Sequence, residues 1–221
     1  NITNKKDCKL FTEGANGALL FHCAGIIHPS RVKHFYDINV KGSKNLIKSA
    51  IDNKLKKIIV VSSNSPIGVN KDNDHIFNEN DEYNPYLHYG RSKMEMEKMV
   101  MSFANKGLIQ ATIIRPPWFY GPHQPKRQIR FYKMIQSGKV PIIGSGENLR
   151  SMSCTINICQ GLIRAAIEEK SNGNIYWISD ATPYSFNEII LTIRKVLETE
   201  FNVKCYHNEI KMPNLISELA Y

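Results

Sequence analysis

The sequence lacks the features that would point to a secreted, membrane-spanning or metal-binding protein. No uninterrupted apolar run among its 221 residues is long enough to cross a bilayer, and no signal peptide is recognisable. The five cysteines are odd in number, scattered and free of CxxC spacing, which is typical of reduced thiols in a cytosolic protein. The seven histidines show no metal-ligand spacing. We therefore expect a cytoplasmic protein with no membrane segment, no disulfide framework and no metal.

A concentrated basic surface is also missing, although the formal net charge is +9. The positive charge comes mostly from lysines spread along the chain, whereas a nucleic-acid interface would cluster them among aromatic residues. The one dense run, residues 54–57, directly precedes an apolar strand, and we expect it to form a solvated turn. The sequence therefore predicts no nucleic-acid partner, while its mild positive field favours an anionic cofactor or substrate.

Strand and helix patterns alternate along most of the chain. Short apolar runs predict buried strands at 18–24, 57–62 and 110–114, and helical spacing predicts helices at 31–53 and 89–104. Strands separated by helices predict an α/β fold with a parallel sheet. Toward the C-terminus we expect strands at 140–144 and 174–179 and helices at 128–136, 158–169 and 185–198, the last opening with a capping box of Ser185 and Glu188.

Tyr89 and Lys93 stand four residues apart at the start of a predicted helix, so their side chains share one face. A phenol with a pKa of about 10 is a poor acid or base at neutral pH, but a neighbouring ammonium favours the phenolate and lowers that pKa. The pair is therefore a candidate for proton transfer. In isolation the spacing favours a surface tyrosine beside a solvated lysine, because such pairs arise by chance in many helices.

Hydroxyl side chains cluster where the predicted strand 57–62 ends. Ser62, Ser63 and Ser65 lie there, at the carboxyl edge of the predicted sheet, which is where open α/β folds bind ligands. Capping of the strand end explains one such hydroxyl better than it explains three. A serine, a tyrosine and a lysine at one edge would form a site for adding or removing a proton at a carbinol oxygen.

Motifs along the chain stand in an order that resembles the extended short-chain dehydrogenases/reductases, within their NAD-dependent epimerase/dehydratase and 3-beta-hydroxysteroid dehydrogenase group. The resemblance covers nearly the whole chain, and the order of the motifs is more specific than any one of them. The matching segments are 21–25, 39–46, 61–63 with Gly68, 89–93, 114–116 with 120–122, 144–150 and 173–180.

The resemblance implies a Rossmann-like parallel sheet, an NAD or NADP cofactor and roles for individual residues. Tyr89 would be the general acid and base, Lys93 would bind the nicotinamide ribose and depress the tyrosine pKa, and Ser63 would hydrogen-bond the reacting oxygen. The other cofactor-binding residues would be Ala24, Gly25, Asn39, Ser62, Pro116 and Pro117. The substrate-binding residues would be Ser65, Trp118 and Arg150.

The opening of that family is not recognisable in this chain. Its members begin with a strand, a glycine-rich turn and a helix that holds the cofactor pyrophosphate, whereas the glycines at 14–17 precede a strand. We interpret 14–17 as a loop and expect the first β-α-β-α-β portion to be absent, as in a fragment of a longer protein. Residues 1–125 would form a partial NAD(P)-binding domain with the catalytic residues. Residues 126–221 would form a small substrate-binding subdomain interleaved with it.

Three functions remain open from the sequence. The first is an oxidoreductase, epimerase or dehydratase acting at a hydroxyl-bearing carbon, with a nucleotide sugar as the first choice of substrate and a sterol as the alternative. Arg150 would grip a phosphate or ribose, or it is a surface arginine, and residues 118–120 would line a pocket or pack in the core. The other functions are a dinucleotide-sensing protein without catalysis and an inactive fragment. A homodimer is the assembly we consider.

Overall fold

The structure is a computed structural model that describes residues 1–70, 72 and 75–213. Its helices are α1 Lys5–Thr12, α2 Lys33–Phe35, α3 Ser43–Asp52, α4 Leu87–Asn105, α5 Lys126–Gln136, α6 Thr155–Ile167 and α7 Phe186–Thr199, with a π-helix at Tyr36–Gly42 and a 3-10 helix at Glu169–Ser171. Its strands are β1 Leu19–His22, β2 Lys57–Val61, β3 Gln110–Arg115, β4 Trp118–Tyr120, β5 Pro141–Ile143, β6 Leu149–Arg150, β7 Met152–Cys154, β8 Asn174–Trp177, β9 Tyr184–Ser185 and β10 Ile210–Met212. Within these described ranges, no helix combines the length and the apolar character that crossing a bilayer requires.

Four strands form a parallel sheet in the order β1-β2-β3-β8. The register pairs Leu20 with Ile58 and Ile59 with Thr112. Ile58 and Ile59 are both fully buried although they point to opposite faces, as is usual for parallel strands, whose crossover helices cover both sides. The predicted α/β fold with a parallel sheet is therefore confirmed.

The chain divides into two compact units and passes between them at 117/118, 155/156 and 178/179. The first unit, Asn1–Pro117 with Ile156–Ile178, holds the parallel sheet. The second unit comprises Trp118–Thr155 and the described part of Ser179–Tyr221, and it holds the strand pairs β4–β7, β5–β10 and β6–β9. Its core is formed by Ile135, Val140, Ile142 and Ile190.

The helix predicted at 31–53 is interrupted. Regular helix α2 gives way at Tyr36 to the π-helix, and α3 resumes after Gly42. Asn39 lies inside the π-helix, is 1% exposed, and hydrogen-bonds both backbone groups of Ile26. Short π-helical turns of this kind are often found at functional sites. Apolar spacing could not reveal the interruption, because it reports which residues face the core and not how many residues complete a turn.

Local capping explains where two of the helices begin. Helix α1 was not predicted, because its sequence is polar and lysine-rich and offers few apolar side chains. Asn4 nevertheless caps it, with Oδ1 accepting from Lys6 N at 2.8 Å. The predicted capping box of α7 is confirmed, since Ser185 N donates to Glu188 Oε2 at 2.6 Å and Glu188 N donates to Ser185 Oγ at 3.1 Å.

Lys57 corrects the expectation that residues 54–57 form a solvated turn. It is 1% exposed at the start of β2, and its Nζ donates to Ala165 O at 2.6 Å, Glu168 O at 2.9 Å and Ser171 Oγ at 2.6 Å. All three donors of the ammonium are thereby satisfied. Two of the acceptors are carbonyls at and just beyond the C-terminal end of α6, where a helix favours a cation.

Replacing Lys57 with methionine is expected to lower the free energy of unfolding by about 3 kcal/mol, because it leaves buried acceptors at the end of α6 without their charged donor. Urea denaturation of the wild type and of Lys57→Met measures the difference. Lys56→Met is the matched control, because Lys56 is the exposed neighbour. It should change the value by less than about 0.5 kcal/mol. If both variants lost the same unfolding free energy, the role of Lys57 in bonding the C-terminal end of α6 would be contradicted.

His22, the last residue of β1, is buried in its neutral form. It is 2% exposed, and its Nε2 lies 2.7 Å from Ser43 Oγ. Burial, together with the nearby charge of Lys93, lowers the pKa of His22 from 6.5 to about 4. The unfolded chain therefore binds a proton at a higher pH than the folded protein does.

We expect acid to destabilise the protein through His22. Because its pKa is lower in the folded state, the stabilising contribution is present above pH 6.5 and is lost as the pH falls through about 4. Between about pH 7 and pH 4, the wild type should lose ~3 kcal/mol more unfolding free energy than His22→Gln, as followed by urea denaturation. His123→Gln, at an exposed histidine, should keep the wild-type dependence. If the unfolding free energies of the wild type and of His22→Gln fell equally with pH, acid destabilisation through His22 would be refuted.

Candidate active site at the carboxyl edge of the sheet

The candidate residues of the first unit lie where β1 and β2 end and α4 begins. Ala24 and Gly25 follow β1, and both are exposed. Ser62 directly follows β2, and its backbone N–H donates to Ile114 O at 2.7 Å, which extends the pairing of the sheet to its carboxyl edge. Ligands of open parallel sheets bind at this edge.

The hydroxyls after β2 form a small network. Ser63 Oγ donates to Asn64 Oδ1 at 3.1 Å and lies 3.2 Å from Ser65 Oγ. The Ser62 hydroxyl is buried and has no hydrogen-bond partner among the residues that the structure describes. A buried hydroxyl without a partner raises the free energy of the protein, and a polar ligand that bonds it recovers that free energy.

Two glycines allow the serine segment to lie against the start of α4. Gly68 has a φ of +86°, and a Cβ there would lie 2.1 Å from Asn84 O. A Cβ at Gly90 would lie 2.4 Å from Ser65 O, which also accepts a hydrogen bond from Tyr86 N at 3.0 Å. A side chain fits at neither contact. The glycine directly after Tyr89 is therefore required by the close approach of helix and loop.

Lys93 is buried at this edge, with 4% of the residue exposed. Its Nζ donates to Val61 O, at the end of β2, at 2.8 Å and lies 3.6 Å from Met96 Sδ. Burial lowers the pKa of Lys93 to about 8, while the carboxylate of Glu97 acts in the opposite direction. The ammonium is thus mostly charged at neutral pH and is fixed where β2 leads into the serines.

Tyr89 lies on α4, one turn before Lys93, and is partly buried. Its ring centroid lies 6.0 Å from that of Phe35. Its carbonyl oxygen accepts a hydrogen bond from Ser92 Oγ at 2.8 Å. Because residues four apart on a helix are neighbours, the phenol and the ammonium lie on the same face of α4.

Asn39 connects three segments of the site. Its Oδ1 accepts from Ile26 N at 2.8 Å, and its Nδ2 donates to Ile26 O and to Ser92 Oγ, each at 3.0 Å. A Cβ at Gly25 would lie 3.3 Å from Asn39 Oδ1, so the chain after β1 runs close to the π-helix. Asn39 therefore fixes the backbone next to Ala24 and Gly25 relative to α4.

Sequence reasoning missed a buried ion pair that also involves α4. Glu97, one turn after Lys93, is 0% exposed, and Arg115, at the end of β3, is 1% exposed. Arg115 Nη2 lies 2.6 Å from Glu97 Oε2, and Arg115 Nε lies 3.2 Å from both carboxylate oxygens. Tyr83 Oη donates to Glu97 Oε2 at 2.9 Å. The four-residue spacing of Lys93 and Glu97 was the available signal, because it places two opposite charges on one helix face.

The remaining candidate residues lie farther along the chain. Pro116 and Pro117 are buried and end β3. Trp118 and Arg150 belong to the second unit, where Arg150 Cζ lies 5.8 Å from the Trp118 ring centroid and 5.7 Å from that of Phe186. Such cation–π contacts orient an exposed guanidinium without using its N–H groups.

Within each unit, the structure brings several of the candidate residues together. The first unit brings the serines after β2, Asn39 and the first two turns of α4 together through direct contacts. The second unit brings Trp118 and Arg150 together. A buried ammonium and a phenol thus share one face of α4, and an ammonium beside a phenol is an arrangement that can favour the phenolate.

Comparison with known proteins finds related sequences along the whole chain. The sequence model of the 3-beta hydroxysteroid dehydrogenase/isomerase family matches residues 1–207. An uncharacterized protein of Sinorhizobium fredii is 43% identical over 221 residues, which cover 100% of this chain and 62% of that protein. The N-acetyl-alpha-D-glucosaminyl-diphospho-ditrans,octacis-undecaprenol 4-epimerase of Escherichia coli O157:H7 is 30% identical over 166 residues, which cover 74% of this chain and 49% of the epimerase.

Solved structures show the same fold. A dTDP-glucose 4,6-dehydratase from Streptomyces venezuelae, crystallised with NAD bound, has a TM-score of 0.80 at 20% sequence identity, covering 97% of this chain and 66% of the dehydratase. This chain therefore spans about two thirds or less of the length of these three proteins. The predicted Rossmann-like sheet is confirmed by this similarity.

The family match includes every candidate site residue described above. It confirms the resemblance that the order of the motifs indicated. The chain belongs to the 3-beta hydroxysteroid dehydrogenase/isomerase family.

Proposed function

We propose that the chain carries the catalytic part of an NAD(P)-dependent epimerase, dehydratase or dehydrogenase that acts at a hydroxyl-bearing carbon of a nucleotide sugar. The observation that carries the proposal is the buried Lys93 ammonium at the end of β2, one helical turn from Tyr89. With a pKa of about 8, Lys93 keeps its charge at neutral pH and favours the phenolate of Tyr89. The family supports this reading, since two of the similar proteins are an epimerase and a dehydratase.

Tyr89 would act as the general acid and base. Its phenolic oxygen would take the proton of the substrate hydroxyl when the carbon is oxidised and return a proton when it is reduced. Ser63 would donate a hydrogen bond to the same substrate oxygen, because its hydroxyl stands at the sheet edge in a network with Asn64 and Ser65. A bound nicotinamide supplies the reversible uptake of a hydride.

The residues at the sheet edge fit a dinucleotide. Ala24 and Gly25 carry no side chain larger than a methyl group, so a ligand can approach the backbone closely. The buried Ser62 hydroxyl needs a partner, and the Lys93 ammonium has three N–H groups for the two contacts described above. We infer that the cofactor, NAD or NADP, contacts Ala24, Gly25, Asn39, Ser62, Tyr89, Lys93, Pro116 and Pro117.

In the second unit the substrate would be held by Trp118 and Arg150. Ser65, in the first unit, stays a predicted substrate-binding residue, and the division into residues 1–125 and 126–221 stays a prediction. The exposed Arg150 guanidinium, stacked on Trp118 and Phe186, is suited to a diphosphate, which it can bond in a bidentate manner. Trp118 is itself fixed by a hydrogen bond from Nε1 to Gln128 Oε1 at 3.2 Å. The net charge of +9 favours an anionic substrate.

A sterol is the second candidate substrate. The name of the family supports it, and so does a cluster of aromatic rings in the second unit. Phe131 lies 5.3 Å from Trp118 and 6.0 Å from Phe186, measured between ring centroids. A flat apolar ligand would bury its surface against such rings.

We also propose that the protein works in the cytoplasm. All five cysteines are free thiols, which supports a reducing compartment. The homodimer considered above stays a prediction.

Tyr89→Phe is expected to reduce kcat at least about 100-fold, because the variant keeps the ring and loses the proton-transferring oxygen. Turnover of a panel of nucleotide sugars with NAD and NADP measures the effect, and calorimetry should show that cofactor binding is retained. Tyr206→Phe is the matched control at a tyrosine that is 51% exposed, and it should keep the wild-type rate. Full turnover in Tyr89→Phe would overturn the catalytic assignment.

Arg150→Met is expected to raise KM for a nucleotide sugar about 10- to 100-fold, because it removes a charge-assisted contact to the diphosphate. Steady-state kinetics measures this change. Arg164→Met, which removes an exposed arginine of the first unit, should leave KM unchanged. Turnover of a sterol that is insensitive to Arg150→Met would instead favour the second candidate.

A further inference from the structure

Three charged side chains are buried around one helix face of the first unit. Lys93, Glu97 and Arg115 are 4%, 0% and 1% exposed. Burying charges without water raises the free energy unless opposite charges and hydrogen bonds replace the solvent. Each of these three buried charges therefore needs an opposite charge or hydrogen bonds nearby.

The carboxylate of Glu97 is hydrogen-bonded by an arginine and a tyrosine. Arg115 bonds both of its oxygens through Nε and bonds Oε2 through Nη2, and Tyr83 donates to Oε2. Arg115 is in turn enclosed by aromatic rings, with Cζ 5.4 Å from the Tyr83 centroid and 5.6 Å from that of Trp177. Both carboxylate oxygens therefore have hydrogen-bond donors, and the arginine donor is charged.

Lys93 has much weaker compensation of its own. Its Nζ bonds one carbonyl, Val61 O, and one thioether, Met96 Sδ. The titratable groups that act on it from the neighbouring elements are Glu97 on α4, Cys23 after β1 and His22 in β1. His22 is neutral at neutral pH because its own pKa is lowered to about 4, and burial raises the pKa of the Cys23 thiol. Glu97 is the carboxylate among these groups, and it acts to raise the pKa of Lys93.

We propose that Glu97 is a positioning residue of the active site, whose carboxylate, anchored by Arg115 and Tyr83, keeps the buried Lys93 ammonium protonated at the end of β2. The proposal rests on the proposed function, because it concerns the lysine that activates Tyr89. Glu97 touches neither the phenol nor the serines in the contacts described, and it acts through Lys93.

The same anchor reaches the segment that leads into Tyr89. Tyr83 lies six positions before Tyr89, in the stretch that joins Gly68 to α4, and its hydroxyl is bonded to Glu97. One carboxylate therefore ties together the end of β3, the middle of α4 and the segment that precedes the catalytic tyrosine. Tyr83→Phe removes one hydrogen bond and keeps the carboxylate, so it should shift the titration of Lys93 far less than Glu97→Gln does.

The test is the titration of Lys93, followed by NMR of protein labelled with 13C at the lysine ε carbons. The Lys93 signal is assigned by its loss in Lys93→Met. In the wild type its midpoint is expected at about pH 8, and in Glu97→Gln at least about one pH unit lower, because an opposite charge has been removed from a buried site. Glu95→Gln is the matched control, since it removes the same charge from an exposed position of the same helix.

A wild-type midpoint in Glu97→Gln would overturn the proposal, as would an equal shift in Glu95→Gln. If Glu97→Gln does not fold because Arg115 loses its counter-ion, Glu97→Gln/Arg115→Gln removes both buried charges. A smaller downward shift is expected there, because the loss of the Arg115 cation acts in the opposite direction. Kinetics provides the second readout: kcat should fall more at pH 8 than at pH 6.5, with KM unchanged. The titration needs no substrate, so its failure is distinct from a failure of the Tyr89→Phe test, which addresses the proposed function.

Discussion

A lysine ammonium buried at the end of a strand is the feature on which the candidate site depends. Water would hydrate this charge far better than one carbonyl and one sulfur do, so the protein supplies an anion on the same helix. The carboxylate of Glu97, which supplies this anion, is itself hydrogen-bonded by Arg115 and Tyr83. In the proposed site, the charge that chemistry at the carboxyl edge of the sheet would need is therefore maintained by a network of buried side chains.

Keeping that ammonium in place dictates how closely the surrounding chain must pack. Helix α4 has to begin directly over the segment that follows β2, and this contact leaves no space for a Cβ at Gly90 or Gly68. On the other side, Asn39 substitutes for a strand partner by bonding both backbone groups of Ile26. The position of the side chains on α4 thus depends on how closely the backbone packs. A larger residue at Gly68 or Gly90 would displace the helix that carries Tyr89.

The parallel sheet and α4 could be predicted because their evidence is local: continuous apolar runs indicate buried strands, and helical spacing indicates the helix. Lys57 could not be placed, since the acceptors that bury it lie more than a hundred positions along the chain. The pairing of Glu97 with Arg115 was hidden because it depends on how α4 packs against β3, which no local pattern shows. The strands of the second unit have only two or three residues each, too few to show any period. Tyr89, Lys93 and Ser63 were selected by motif and chemistry, and their roles stay predictions.

The interleaving of the two units affects how the protein acquires its fold during synthesis. The ribosome completes Trp118–Thr155 before it makes β8, the strand that finishes the sheet of the first unit. Until residues 165–171 emerge from the ribosome, the Lys57 ammonium can hydrogen-bond only to water. The burial of β2 therefore cannot reach its final stability before that point. A nascent chain therefore carries an unfinished first unit while part of the second is already outside the ribosome, which lengthens the period in which apolar strands need protection from other chains.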